Sequence, residues 1–272
     1  MIVVTGATGN VGAPLVAALL DAGEEVTAVA RGITGAPPPA RAVPADLTEP
    51  ESLKPALDGA DAVFLLTAAG FLAGGDLDPV LDVVRASGVR RVVLLSSQGV
   101  GTGRHPADLE AAVLGSGLDA TVLRASGFAS NALAWAASVR VERTVAAPFG
   151  DVALPVIDPH DIAAAAAVVL RGSGHAGRTF VLTGPRAISP REQVAAIAAA
   201  VGEPVRFVEQ TREQASAAMR AFMPVAVAEA TLDILGAPTV DEQHVSLHLD
   251  ELTGRAPRSF AEWADRNAAA FR

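Results

Sequence analysis

Three regularly spaced glycines, Gly6, Gly9 and Gly12, follow a β-branched run and open a helical pattern. In this context Gly6 would permit a tight strand-to-helix turn, Gly9 would let a phosphate approach the backbone, and Gly12 would allow close helix packing. The helix N-terminus would present unpaired N–H groups and partial positive charge to a phosphate. The alternative is a glycine-rich turn that binds no ligand. We predict a cradle for the pyrophosphate of a dinucleotide, formed by Gly6, Thr8, Gly9, Asn10, Val11 and Gly12.

Arg31 follows the second predicted strand, at the position where an acidic residue would bind the ribose 2′-hydroxyl of NAD. A guanidinium can instead hold a 2′-phosphate, so the sequence favours NADPH over NADH. The alternative for Arg31 is a solvated surface side chain. Asp46 and Leu47 follow the third predicted strand and are expected at the adenine edge, although Asp46 could equally cap the next helix.

Polar residues also follow the fourth and fifth predicted strands, DAVFLL and RVVLL. Ligands of open α/β sheets bind at the carboxyl ends of the strands. We therefore assign Thr67, Ala68 and Ser96 to the cofactor site. The alternative for the serine is a hydroxyl that bonds to backbone at the strand end.

The candidates for catalysis lie in the same segment as Ser96. Ser97 and Gln98 would orient a nicotinamide or a carbonyl group. His105 could donate a proton near neutral pH, because its imidazole titrates in that range. The alternatives are a serine that bonds to backbone and an exposed loop histidine.

Short β-rich runs alternate with helical patterns through the first half of the chain, which predicts βαβ units and a parallel sheet. We expect an α/β protein with a Rossmann-like, doubly wound parallel sheet and a smaller C-terminal α/β substrate lobe. The expected division is residues 1–150 for dinucleotide binding and residues 151–272 for a lobe that is not independent. Ser189 and Glu192 have the spacing of a capping box, with Pro190 at the first helical position.

The composition excludes several kinds of chemistry. The 272 residues include no cysteine, no tyrosine and a single lysine, Lys54, which excludes a thiolate nucleophile, a disulfide framework and a tyrosine acid. The net charge of −9 argues against binding to nucleic acid or to an anionic membrane surface. No apolar run approaches the roughly 18–20 residues of a spanning helix, and no basic stretch precedes an apolar one at the N-terminus. We therefore expect a cytoplasmic protein.

Two further groups of residues carry weaker signals. Asp158 and Asp161 could be a carboxylate pair, but Asp161 fits better as part of a helix start. His244 and His248 are four residues apart, yet no third metal ligand is evident. We therefore expect no metal site.

The motifs TGATGNVG, RVVLLSSQGV, EAAVLGSGLDATVLRASGFASN and IDPHDIAAAAAVVL occur in this order along the chain. Together they resemble the NmrA-like group of atypical short-chain dehydrogenase/reductases, and the resemblance covers nearly the whole chain. It implies an NAD(P)H-binding fold and a substrate pocket whose floor contains Gly127, Phe128 and Asn131. Phe71, in a glycine-rich loop expected at the cofactor edge, is a further candidate for substrate contact. A core role for Phe128 is the alternative.

The chain departs from this superfamily at the residues that usually donate the proton. Most catalytic members use a Tyr-x-x-x-Lys pair. Aligned on Glu110, which matches the family's helix glutamate, that pair would fall at Thr102 and Pro106. Neither side chain can act as the acid, so the usual tyrosine-assisted carbonyl reduction is excluded.

Three functions remain open. The first is an NADPH-dependent reductase of a small apolar acceptor such as a quinone, an enone or an iminium ion, which needs no strong side-chain acid. The second is a redox sensor that binds the dinucleotide without turnover and acts through a protein partner. The third is a non-redox enzyme that binds a small metabolite. A small-molecule substrate is the expected partner, and a homodimer is left open.

Overall fold

The computed structural model describes residues 1–67, 75–221 and 223–272. Its strands form a seven-stranded sheet and a separate two-stranded sheet. The strands are β1 (Ile2–Thr5), β2 (Val26–Ala30), β3 (Arg41–Pro44), β4 (Ala62–Leu66), β5 (Arg91–Ser97), β6 (Asp119–Ala125), β7 (Thr144–Pro148), β8 (Thr179–Leu182) and β9 (Arg206–Gln210).

The large sheet has the strand order β3-β2-β1-β4-β5-β6-β8, and every neighbouring pair is parallel. The chain runs outward from β1 to β3 on one side and continues from β4 on the other, so the order reverses beside β1. Open α/β sheets bind ligands at such a switch point. The predicted fold class is confirmed, and the glycine turn after β1 lies at the expected edge.

Helices connect the strands and cover both faces of the large sheet. They are α1 (Gly12–Asp21), α2 (Lys54–Leu57), α3 (Asp78–Ala86), α4 (Gln98–Gly101), α5 (Asp108–Gly115), α6 (Ala136–Glu142), α7 (Pro159–Arg171), α8 (Pro190–Val201), α9 (Arg212–Met219), α10 (Val225–Gly236), α11 (Val240–Gln243), α12 (His248–Thr253) and α13 (Phe260–Asn267). Short 3₁₀ segments occur at Pro50–Leu53, Ala129–Trp135 and Ala268–Ala270.

The core of the large sheet has two layers. Phe64 on β4 packs with helices α1 and α7, whereas Leu65, the next residue, packs with α3 and α5 on the opposite face. Both side chains are fully buried, and each such side chain stabilises the fold by about 1.5–3 kcal/mol. This two-sided burial explains why the strands are continuous apolar runs.

A third apolar cluster lies in the C-terminal part of the chain, where Ile197, Trp263 and Phe271 pack against β7 and the 3₁₀ segment Ala129–Trp135. Strand β7 pairs with β9, while α7 and β8 join the large sheet. Elements from both sides of residue 150 therefore share sheets. The division at that residue stays a prediction about how the chain is organised.

The capping box at Ser189 is present: its hydroxyl accepts from the Glu192 N–H at 3.2 Å, and the Glu192 carboxylate accepts from the Ser189 N–H at 2.8 Å. This arrangement fixes the start of α8. Within the described residues, no helix is both long enough and apolar enough to cross a membrane.

Candidate functional site

The turn after β1 is built on glycine geometry. Gly6 adopts a positive φ of 63°, and its carbonyl accepts a hydrogen bond from the Gly9 N–H at 2.9 Å. A Cβ atom on Gly12 would lie 2.7 Å from the carbonyl carbon of Gly6 and 2.8 Å from the Cα of Ala7. Only glycine fits there without a shift of the backbone. The close approach expected at Gly12 is therefore made to the turn itself.

Helix α1 starts directly from this turn, and its first turn contains no acidic residue. Thr8, Gly9 and Asn10 are exposed on the turn, while Val11 and Gly12 are buried beneath them. An exposed backbone at a helix N-terminus without a nearby carboxylate suits a phosphate. The observed turn thus fits the pyrophosphate of a dinucleotide.

Arg31 is exposed immediately after β2 and has an electrostatic partner in Asp46, which follows β3. The Asp46 carboxylate accepts a hydrogen bond from the Thr48 N–H at 2.9 Å. This bond holds the pKa of Asp46 below its usual value, and the side chain of Thr48 and the positive charge of Arg31 act in the same direction. Asp46 therefore closes a turn, whereas Glu49 stands at the cap position of the following 3₁₀ helix.

Two other residues expected near the cofactor, Thr67 and Leu47, lie within the described part of the chain. Thr67 is half-buried just after β4. Leu47 is also partly buried and packs against the apolar layer beneath the sheet. Ala68 and Phe71 lie outside the described residues.

Ser97 and His105 come together. The hydroxyl oxygen of Ser97 accepts from the Gly99 N–H at 3.1 Å and lies 3.0 Å from Nδ1 of His105. The backbone N–H of His105 donates to the Gly99 carbonyl at 3.0 Å. This bond brings His105 back to the end of β5, beside Ser97. Burial lowers the pKa of the imidazole, and the negative charge of Glu242 partly opposes this shift. The arrangement can present a hydroxyl together with a titratable imidazole.

Ser96 forms a hydrogen bond with the buried carboxylate of an ion pair. Its hydroxyl donates to Oε1 of Glu110 at 2.5 Å. Glu110 is only 4% exposed and is also bound by Arg124, whose Nε lies 3.0 Å from Oε1 and whose second guanidinium nitrogen lies 2.6 Å from Oε2. Strands β5 and β6 place Ser96 beside Arg124 in register. The sequence does not indicate this cluster, because in it Glu110 is recognisable only as the residue that matches the family's helix glutamate.

The segment after β5 is joined to the C-terminal part of the chain. Gln98 donates through Nε2 to the carbonyl of Asp241 at 3.0 Å. The hydroxyl of Thr102 donates to Oε1 of Glu242 at 2.9 Å. Thr102, which aligns with the tyrosine of the Tyr-x-x-x-Lys pair, is thus bound to a carboxylate. Sequence reasoning did not identify Glu242.

The residues expected at the pocket floor follow β6. Phe128 is half-buried, packs against the first apolar layer and forms a parallel bridge with Ile157. Gly127 and Asn131 are exposed. The neighbouring Ser130 accepts a hydrogen bond from the side chain of Asn10 at 3.3 Å. The glycine turn and the segment that contains Phe128 are therefore in direct contact.

The two aspartates near α7 hold the C-terminal segment in place. Asp158 caps α7 by accepting from the His160 N–H at 2.9 Å, and it also pairs with Arg266. Asp161 is fully buried and binds Arg255 at 2.7 Å as well as Arg258. Both carboxylates are thus engaged within the protein fold.

The two histidines do not share a helix face. His244 follows α11, while His248 begins α12 and accepts a hydrogen bond at Nδ1 from the Val181 N–H at 2.9 Å. This bond covers part of the edge strand β8. In the part of the chain that the structure describes, no three acidic or histidine side chains are grouped to hold a metal ion.

The parallel sheet, the glycine turn at its switch point and the helix that starts there define a dinucleotide-binding protein of the Rossmann type. A family model described as NAD(P)H-binding matches residues 6–173. The chain belongs to this NAD(P)H-binding family. The resemblance noted in the sequence motifs is confirmed at the level of this NAD(P)H-binding family.

Similar proteins extend over the full chain. A (4-alkanoyl-5-oxo-2,5-dihydrofuran-3-yl)methyl phosphate reductase from Streptomyces griseus is 37% identical over 100% of this chain and 99% of its own length. An NAD(P)H azoreductase from Xenophilus azovorans is 34% identical, with the same coverage. The structure of an NADPH-dependent quinone oxidoreductase from Escherichia coli, complexed with NADPH, matches with a TM-score of 0.78 at 23% identity, covering 98% of this chain and 99% of that one.

Proposed function

We propose that the protein is an NADPH-dependent reductase that transfers hydride to a small apolar acceptor such as a quinone, a conjugated enone or an iminium ion. The observation that carries this proposal is the Ser97–His105 pair, with 3.0 Å between the hydroxyl oxygen and Nδ1. It lies at the carboxyl end of β5, on the same edge of the sheet as the glycine turn after β1. The proposed proton source and the proposed cofactor cradle thus share one edge in a chain that has no tyrosine.

The glycine turn supplies the binding part of this function. Gly9 and Asn10 would hold the pyrophosphate, and the N-terminus of α1 would provide the complementary charge. Thr67 and Ser96, at the ends of neighbouring strands, would lie toward the nicotinamide, with the Ser96 hydroxyl bonded to Glu110. When bound, NADPH supplies the hydride, and the protein's contribution is to hold donor and acceptor in reacting geometry.

NADPH is preferred over NADH in this proposal. Arg31 is exposed at the end of β2, where it would hold the 2′-phosphate. Asp46 lies close enough to Arg31 for their charges to interact, so it can orient the guanidinium toward the adenine ribose. Leu47 contributes an apolar contact beside the adenine.

A quinone or an enone needs a proton as well as the hydride, whereas an iminium ion is reduced by the hydride alone. One hydride and one proton reduce a quinone to a hydroquinone or an enone to a saturated ketone, while NADPH becomes NADP⁺. The hydroxyl of Ser97 donates to the developing anion, and His105, when protonated, returns a proton to Ser97 through Nδ1. Gln98 borders this position, and Phe128 offers an apolar wall for the acceptor, with Gly127 and Asn131 beside it. Phe71 is proposed as a further substrate contact.

The similar proteins support this acceptor class. The Streptomyces griseus relative is named as a reductase of a dihydrofuranyl methyl phosphate, which is an unsaturated carbonyl compound that also carries a phosphate, and the Xenophilus azovorans relative as an azoreductase. Both match the whole length of this chain at more than 30% identity.

The test is to mix the purified protein with NADPH and a panel of quinones, enones, imines and azo dyes, and to follow NADPH absorbance. The proposal predicts acceptor-dependent loss of NADPH, with one NADPH consumed per quinone, enone or imine reduced. Tight binding of both NADPH and NADP⁺ without turnover of any acceptor would instead identify a redox sensor.

A further inference from the structure

Glu242 is a buried carboxylate that faces the segment between Ser97 and His105. This segment, which begins with the one-turn helix α4, is called the loop below. It lies in the four-residue helix α11 and is 2% exposed. Its Oε2 accepts from the Thr239 N–H at 2.7 Å, which completes a capping box. Its Oε1 accepts from the Thr102 hydroxyl at 2.9 Å and lies 3.4 Å from Nε of Arg104. One carboxylate therefore serves both its own helix and a distant loop.

Capping alone does not explain this burial. Glu192 and Glu262 complete equivalent capping boxes, yet both of their side chains are solvent-accessible. Burial of a carboxylate costs free energy unless hydrogen bonds and an opposite charge compensate it. At Glu242 the compensation comes from Thr102 and Arg104, so the burial is tied to the contact with the loop.

Two more hydrogen bonds join the same two segments. Gln98 donates to the Asp241 carbonyl at 3.0 Å, and Arg104 donates to the Ala237 carbonyl at 3.1 Å. The side chains of Gln98, Thr102 and Arg104 thus form hydrogen bonds with residues 237–242. Ser97 and His105 stand at the two ends of this fastened loop.

We propose that Glu242 is a positioning residue for the reduction: it holds the loop so that Ser97 and His105 keep their separation. This inference rests on the proposed function. Positioning matters because a displacement of about 1 Å can cost on the order of a hundredfold in rate.

The charge of Glu242 also acts on His105. Glu242 from α11 is the charge that acts on the imidazole. Arg104, the residue before His105, is paired to it, and the guanidinium of Arg124, which is paired to Glu110, lies beside Gly101 of α4. Glu242 favours the protonated imidazole and opposes the lowering of the His105 pKa by burial. Loss of this charge would move the His105 titration to lower pH.

The experiment compares Glu242→Gln and Glu242→Asp with the matched control Glu262→Gln, which alters a capping box far from the loop along the chain. We expect Glu242→Gln to lower kcat about tenfold or more, to leave KM for NADPH within about twofold, and to shift to lower pH the limb over which kcat falls as His105 loses its proton. Glu242→Asp retains the charge and should restore the position of that limb. Glu262→Gln should match the wild type.

A purely structural role would lower the melting temperature of Glu242→Gln and leave the pH limb in place. That result would overturn the proposal.

A second readout does not depend on turnover. Backbone hydrogen exchange of residues 99–105 should be faster in Glu242→Gln than in the wild type and unchanged in Glu262→Gln. Should the wild type reduce no acceptor, the proposed function fails, while exchange still tests the contact. Equal exchange in all three proteins contradicts the positioning role. Should Glu242→Gln not fold, Thr102→Val removes the same contact from the loop side and should reproduce the faster exchange; normal exchange in that variant would overturn the proposal.

Discussion

Ser97 and His105 lie 3.0 Å apart between hydroxyl oxygen and imidazole Nδ1, at the two ends of one short loop. Gly99 makes this approach possible, because a Cβ atom there would lie only 2.6 Å from Nδ1 of His105. The pair stands on the edge of the sheet where dinucleotide-binding folds carry out their chemistry. In a chain without tyrosine, it is the pair that we propose as the source of the proton.

The first prediction concerns pH. Because the imidazolium is the form that can return a proton to Ser97, kcat should rise as the pH falls through the pKa of His105 and level off below it. Burial lowers this pKa, so the limb should lie on the acidic side of an ordinary histidine. His105→Ala should lose the limb and reduce kcat about a hundredfold. His244→Gln, which changes an exposed histidine, should retain the limb and the wild-type kcat. An unchanged pH profile in His105→Ala would show that His105 takes no part in the mechanism.

The second prediction concerns the cradle. A methyl group at Gly12 would lie 2.7 Å from the Gly6 carbonyl carbon and would meet backbone that cannot rotate away. Gly12→Ala should therefore lower the free energy of unfolding by about 1–3 kcal/mol and weaken NADPH binding. Gly35→Ala adds the same methyl group in open space and serves as the control. Urea unfolding and cofactor titration of both variants measure the two effects, and normal NADPH affinity in Gly12→Ala would argue against the cradle.

The third prediction concerns cofactor choice. If Arg31 holds the 2′-phosphate, its loss removes a charge-assisted hydrogen bond of about 1.5–3 kcal/mol, or roughly ten- to a hundredfold in affinity. Arg31→Ala should weaken NADPH by this factor and leave NADH nearly unchanged. Arg90→Ala changes an exposed arginine just before β5, and its cofactor affinities should match the wild type. Equal weakening of both cofactors in Arg31→Ala would contradict the assignment.

The fourth prediction separates structural carboxylates from catalytic ones. Asp161 is fully buried between Arg255 and Arg258, so Asp161→Ala leaves two guanidinium groups without their partner. It should lower the free energy of unfolding by about 3–5 kcal/mol, while kcat of the folded protein stays near the wild-type value. Asp151→Ala, at an exposed pair with Arg191, should leave the unfolding midpoint unchanged. A selective loss of kcat in Asp161→Ala would instead give this carboxylate a role in the reaction.

The sequence was sufficient where the signal is local. The glycine spacing, the apolar strands and the capping box at Ser189 each depend on neighbouring residues, and the structure has them where they were predicted. The proximity of Ser97 and His105 is also accessible from the sequence, since they are only eight positions apart.

Contacts between distant segments were out of reach. Gln98 and Asp241 are 143 positions apart, and Thr102 and Glu242 are 140 apart. In the sequence, Glu242 resembles the glutamates of the other capping boxes, and only folding shows which one is buried. Ser96 was assigned to the cofactor because its hydroxyl ends a strand, while its bond to Glu110 depends on how α5 packs against the sheet.

The most direct test of the central claim is a stoichiometric turnover measurement with NADPH and a quinone, run with wild type and with a Ser97→Ala, His105→Ala double variant. Our account predicts that the wild type consumes one NADPH per quinone reduced, and that the double variant binds NADPH normally but turns over at least about a hundredfold more slowly. Equal turnover by both proteins would contradict the role of the Ser97–His105 pair, and binding without turnover of any acceptor by the wild type would contradict the reductase itself.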